Sequence, residues 1–214
     1  MFDPWIGERF GAEDNILAGC RLLILGESHY TGNPEEVGTT PLGFTSGVVD
    51  LLALQKRHQF FGKLQEVVTG KPRRLQTSDD RRGFWRSVAF YNFVPVLIDG
   101  RPVSAGGARR RPTATQFQQG IEPFHSIRNE LKPTAVIVCG LETWSVLAPS
   151  LDGFEGPERD VIYYDDGTAV YARTQHPSWP GFDTEKWYAR IAGLIELSAQ
   201  ERQLGWKQTW RAEQ

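Results

Sequence analysis

Residues 113–147 alternate two periodicities, and few folds accept that alternation. A Thr113 and Gln116 capping box opens a helical period in which Phe117, Ile121, Phe124, Ile127 and Leu131 recur at three- and four-residue steps. Lys132 and Pro133 close that helix, predicted over 113–131. Ala135–Cys139 is then wholly apolar, as suits a strand covered on both faces, before Gly140 turns the chain into a second helix at 141–147. Helix, short apolar strand, Gly, helix is the unit of a parallel sheet with helices packed on it. The same signal stands earlier, in RLLILGESHY at 21–30, where the apolar run 22–25 ends at Gly26. Residues 87–93 add a strand dense in aromatic and β-branched side chains, with Asn92 near its end. Residues 161–164 and 169–173 flank Asp165, Asp166 and Gly167 as a hairpin. The expected fold is α/β, a three-layer α/β/α sandwich around a mainly parallel sheet of about four strands.

The remaining segments fill in around that frame. Residues 1–20 read as an aromatic-bearing arm without functional content, 48–68 as one helix, 71–83 as a charged, mobile loop and 98–111 as a Gly-rich, partly disordered one. A final helix from about Asp183 turns Trp187, Ile191 and Leu194 inward and runs into a helical tail at 196–214. With 214 residues, a single domain spanning 1–214 is the default, and a monomer the default assembly. A formal charge of -2 supplies no global basic field, so nucleic-acid contact would fall to two local patches: Lys71, Arg73 and Arg74, then Arg109, Arg110 and Arg111. The 2 cysteines, Cys20 and Cys139, exclude a disulfide framework and a four-cysteine metal or cluster site, and a reducing cytoplasm is the natural setting. No run approaches membrane-spanning length, and MFDPWIGERF does not read as a secretion signal.

Ligands of open α/β sheets collect at the carboxyl ends of the strands. Three such ends carry chemistry: Gly26, Glu27, Ser28, His29 and Tyr30; Asn92; and His176, Pro177 and Ser178. The long loop 31–47 follows the first of them and holds Asn33, Glu35, Glu36 and Phe44.

The order GESHY, YNFVP and HPS resembles the uracil-DNA glycosylase superfamily. Members place a Gly-Gln-Asp-Pro-Tyr or Gly-x-x-Pro-Gly motif after strand one, an Asn-bearing segment after a middle strand and a His-Pro-Ser-like motif late. The intervening RRPTATQFQQGIEPFHSIRNELKPTAVIVCGLETWSVL is similar to the superfamily's run through helix, Pro, strand, Gly and helix. The likeness covers roughly 21–195. It implies hydrolysis of an N-glycosidic bond to uracil or another altered base in DNA, with no metal or organic cofactor. By that resemblance Asn92 would read the base edge, His176 would steady the leaving base, Phe44 would stack on its ring with Tyr30 as second candidate, and Glu27 and Ser28 would handle water. Gly26, His29 and Ser178 would complete the pocket. Arg109, Arg110 and Arg111, the 71–74 patch and the backbone amides at Ser28 and Ser178 would grip phosphates, and Trp179 or Phe182 would enter the duplex as a wedge. Ser28 stands where the efficient uracil-excising branch has Asp, and His29 where Pro is usual; Glu35 and Glu36 are further candidates for the base. The cysteine count excludes the iron-sulfur branch. A base- or nucleic-acid-binding module that has lost catalysis, and a nucleoside or nucleotide hydrolase, are the alternatives.

Overall fold

The computed structural model describes residues 1–102, 110–152 and 163–204. Among the described residues eight strands are formed: β1 (Trp5–Ile6), β2 (Leu22–Gly26), β3 (Tyr30–Thr31), β4 (Ala89–Asn92), β5 (Ile98–Asp99), β6 (Ala135–Cys139), β7 (Tyr163–Asp165) and β8 (Val170–Thr174). Seven α-helices accompany them: α1 (Phe44–Val48), α2 (Gln59–Thr69), α3 (Ser78–Trp85), α4 (Ala114–Gln118), α5 (Ile121–Leu131), α6 (Leu141–Leu147) and α7 (Thr184–Leu204). Six strands form one sheet in the order β1-β4-β2-β6-β8-β7, while β3 and β5 pair as a separate two-stranded ribbon. The four inner strands of the large sheet are mutually parallel, and β1 and β7 add antiparallel edges. The expected parallel four are therefore present, and the sheet is wider than the apolar runs alone suggest. Two residues of β1 are too few to show an alternation that could be read beforehand.

Side chains of the parallel strands leave in alternate directions, and each set meets its own layer of helices. Leu22, Ile24, Phe90, Ile137 and Ala172 face α2, α3 and α7, against Phe61, Leu64, Trp85, Trp187, Ile191 and Leu194. Leu23, Leu25, Tyr91, Val136, Val138 and Tyr171 face α4, α5 and α6, against Phe117, Phe124, Ile127, Trp144 and Leu147. All five residues of β2 are buried, which is why that strand is apolar without alternation. Cys20 and Cys139 are buried and not joined in a disulfide, and burial pushes the Cys139 thiol up to about 12.

Two helical expectations and one loop expectation are corrected. The predicted helix at 48–68 is two: α1 runs on through a π-helical stretch, Val49–Gln55, and the chain then extends at Lys56 and His58 before α2. The predicted helix at 113–131 is also two. Gly120 lies so close to the Phe93 carbonyl oxygen that a Cβ there would sit 2.4 Å from it, and Pro123, in the first turn of α5, has no N–H to continue a helix from before it. The charged segment 71–83 is ordered, with a short 3-10 turn at Arg73–Leu75 and then α3, capped by reciprocal Thr77 and Asp80 hydrogen bonds. Within the 98–111 loop, β5 is paired with β3, and the expectation of partial disorder falls mainly on 103–109, which lie outside the described residues. The final 205–214 of the predicted helical tail lie outside them too.

Candidate active site

Parallel pairing brings the carboxyl ends of β2 and β4 level, with Gly26 opposite Asn92. A Cβ on Gly26 would stand 2.0 Å from Asn92 Oδ1, so the strand needs glycine here for the amide to lie across it. Main-chain bonds then carry the two loops forward together, from Phe93 N to the Gly26 carbonyl and from Val94 N to the Glu27 carbonyl, at 3.0 and 2.9 Å. β6 lies on the other side of β2, and the chain enters it by crossing from β4, so the loop after β2 sits where the sheet reverses direction.

A cleft of about 230 Å³ opens at this point. Of the residues singled out in the sequence, Glu27, Ser28, His29, Tyr30, Phe44, Asn92, His176 and Ser178 all line it, and Gly26 underlies Asn92. Asn92 is 5% exposed, and its side-chain amide has no hydrogen-bond partner among the described residues. Both its donor and its acceptor are thus open to a ligand.

His176 is held by its own loop. Ser178 N–H donates to His176 Nδ1 at 3.2 Å, Lys63 Nζ donates to the Pro177 carbonyl at 2.9 Å, and the imidazole lies 5.3 Å from the Phe60 ring between centroids. Burial first, and the Arg111 charge second, lower its pKa to about 4. The ring is therefore neutral at pH 7, and with Nδ1 accepting, its one proton is on Nε2. The Ser178 amide is spent on this bond, so it is not the phosphate donor the sequence suggested.

His29 lies deeper, 3% exposed, with Nε2 3.0 Å from Thr45 Oγ1 and its ring edge-on to Phe2 and Phe44. Burial alone lowers its pKa to about 4. The amino-terminal arm, read as idle, thus supplies Phe2 to the wall behind the cleft. Phe44, the first residue of α1, is half-buried and presents a ring to the cleft.

Glu27 is the one acidic residue on the cleft wall among the described residues. Arg111 bridges it to Glu142, with Nη2 at 2.9 Å from Glu27 Oε2 and 2.9 Å from Glu142 Oε2. Burial raises the Glu27 pKa above the usual carboxylate range, Arg111 opposes that shift and Glu142 adds to it. Beside it, Ser28 Oγ is buried without a hydrogen-bond partner. Glu35 and Glu36 lie off the cleft wall, and Glu36 accepts a hydrogen bond from Thr31 Oγ1 at 2.6 Å.

The residues assigned to DNA contact are dispersed. Arg111 is committed to the two carboxylates, Arg110 stands 3.5 Å from Asp99, and Arg109 lies outside the described residues. Lys71 pairs with Asp80 at 2.7 Å. Trp179 is 60% exposed just beyond the His176 loop, whereas Phe182 is buried on Trp187 and cannot serve as a wedge. Sequence reasoning passed over His58, Phe61 and Phe90, which also line the cleft. His58 was hidden by reading 48–68 as one helix, and the clue to its position was its role as the N-cap of α2.

Among the described residues no group of three or more His, Cys, Asp or Glu could hold a metal ion, and no described helix is long and apolar enough to cross a membrane. No protein-family model matches the chain, and a search of curated proteins finds no match to it.

Proposed function

We propose that the cleft hydrolyses the N-glycosidic bond of an altered base, uracil first among the candidates, in DNA, as a divergent member of the uracil-DNA glycosylase superfamily. One observation carries the reading. A single cleft holds an amide open at both ends, a neutral imidazole whose proton is on Nε2, and a half-buried aromatic ring. That set suits a flat heterocycle with adjacent carbonyl and N–H groups better than it suits a flexible or charged ligand.

The base is extruded into the cleft, Asn92 pairs with its edge and Phe44 covers its face. As the C1′–N bond breaks, its electron pair passes to the base, and negative charge gathers on a ring carbonyl oxygen. His176 Nε2–H donates to that oxygen, a fixed dipole that costs no reorganisation when the charge appears. Water adds to C1′ on the opposite side, and its proton goes to Glu27, with Ser28 Oγ orienting the water. Trp179, exposed beside the His176 loop, fills the space that the base leaves.

The Glu27–Arg111 pair favours one rival: a module that binds a base or nucleic acid without cleaving it, because the cleft's carboxylate is already occupied by a cation. One assay separates the two. A labelled oligonucleotide carrying a single uracil, hypoxanthine, xanthine or modified pyrimidine is incubated with protein and treated with alkali. Strand breakage by wild type, reduced at least about 100-fold in both Asn92→Ala and His176→Ala, is the expected result. Intact strands on every substrate, with binding retained and folding verified, would leave the binding module.

A further inference from the structure

Leu52, His58 and Phe61 are a shared wall, with the cleft on one side and a second, small chamber on the other. The chamber measures about 10 Å³, room for roughly one water-sized atom. Among the described residues four cations, Lys56, Arg57, Arg73 and Arg81, line it, and no acidic residue does.

Arg81 decides what the chamber is for. It is 7% exposed, its Nη1 and Nη2 donate to the Thr77 carbonyl and the Ser78 hydroxyl at 3.3 and 3.1 Å, and its Nε has no partner. No carboxylate among the described residues pairs with it: Asp79 is taken by Arg82 and Asp80 by Lys71. A buried guanidinium without a counter-ion is costly unless an anion reaches it. Trp85 Nε1–H, also buried at this wall, lacks a partner as well. The Gln65 amide, 1% exposed with Oε1 unpartnered, can turn its N–H inward by a half rotation. Lys56, Arg57 and Arg73 are exposed around the mouth, and the eleven-residue helix α2 starts beside it at Gln59, its N-cap His58 standing in the shared wall.

We propose that this chamber is a phosphate site. One oxygen of the phosphate enters against Arg81 Nε–H and Trp85 Nε1–H, and the others stay at the mouth among Lys56, Arg57 and Arg73. Size and charge agree: the chamber takes a single oxygen, and among the described residues its lining carries four cations and no acidic side chain. The source is the sugar-phosphate backbone of the strand whose base enters the cleft, since the two share a wall; this part rests on the DNA reading above. A free phosphate group or a mononucleotide is the other source that the same chemistry admits.

The test follows the side-chain Nε–H resonances of arginine in the full, ¹⁵N-labelled chain. Inorganic phosphate is added to one sample and a short, unmodified thymidine oligonucleotide to another. The Arg81 signal is assigned by Arg81→Gln or, should that variant not fold, by through-bond correlation. Expected is a saturable shift of the Arg81 signal with the oligonucleotide. In the exposed double variant Arg57→Ala, Arg73→Ala, affinity should be about tenfold weaker and the salt slope lower by roughly 0.7 for each phosphate no longer neutralised. A shift with inorganic phosphate but none with the oligonucleotide would uphold the phosphate site and overturn its backbone source. An Arg81 signal indifferent to both would overturn the site and leave the chamber to a water. Base excision is not read, so a protein that cleaves no substrate still passes or fails this test on its own terms.

Discussion

Asn92 can lie open in the cleft only because Gly26 yields its side-chain space. Gly26→Ala puts a methyl group 2.0 Å from Asn92 Oδ1 and obliges the amide to turn or the strands to part. Overpacking of this kind costs about 1–3 kcal/mol, measurable by urea denaturation, and base excision should fall at least as far as in Asn92→Ala. A variant that keeps both stability and activity would show that the amide has another productive place to stand. Glu27 makes a sharper case, because its two charged neighbours pull in opposite directions. If its carboxylate accepts the water proton, Arg111→Met removes the charge that favours ionisation, so the acidic limb of the activity profile moves to higher pH. Glu142→Gln removes the charge that opposes ionisation, and the limb moves to lower pH. Arg111 also lowers the His176 pKa, so its removal moves that group in the same direction and does not reverse the sign. A uniform loss across the pH range in both variants would mean that the bridge only holds the loops in place. Much of this scale was legible from residue order: Glu27, Ser28, Asn92 and His176 meet because each follows a strand of one parallel sheet. Arg111 was not legible, since no local rule tells which of three adjacent arginines will reach back 84 residues to Glu27.

Among the elements, α3 shows what a cap contributes. Thr77 and Asp80 satisfy one another's main-chain N–H groups, and Asp80 also holds Lys71. Thr77→Ala should destabilise the protein by about 1 kcal/mol, read as a lower urea midpoint at unchanged slope. The same variant loosens the turn that carries Arg81, whose Nη1 donates to the Thr77 carbonyl, so the chamber beside the cleft is sensitive to it as well. The Thr77 and Asp80 spacing behind this cap stands in the sequence, inside a segment whose density of charge reads as a mobile loop. Misreadings of the opposite kind joined what the structure separates. Apolar spacing carries on across His58 and across Gly120, and periodicity alone does not register an extended peptide or a glycine pressed against the Phe93 carbonyl. Both breaks have consequences for the site. The first places His58 and Phe61 on the cleft wall, and the second seats the junction of α4 and α5 against Phe93, in the loop that follows β4.

For the molecule as a whole, folding lowers the proton affinity of three imidazoles, His29, His125 and His176, below that of the unfolded chain. His29 and His176 both have pKa values near 4 in the folded state, against about 6.5 when exposed. Between those values the unfolded chain binds more protons than the folded one, so stability is full above about pH 6.5 and drains away as the pH falls toward 4. For His29, which is 3% exposed, the loss amounts to roughly 3 kcal/mol once the drop is complete. His29→Gln removes one of these contributions and should flatten the fall in melting temperature between pH 6.5 and 4, even though the variant starts less stable at pH 7 through loss of packing against Phe2 and Phe44. Identical slopes in wild type and variant would show that His29 takes up its proton as readily in the folded protein as in the unfolded chain, and a charged ring would then stand behind the cleft below about pH 6.5. That outcome would reach beyond stability. A cation at His29 would draw an anionic base inward, whereas a neutral ring would leave the developing charge of the proposed reaction to His176, whose tautomer is fixed by the amide of Ser178.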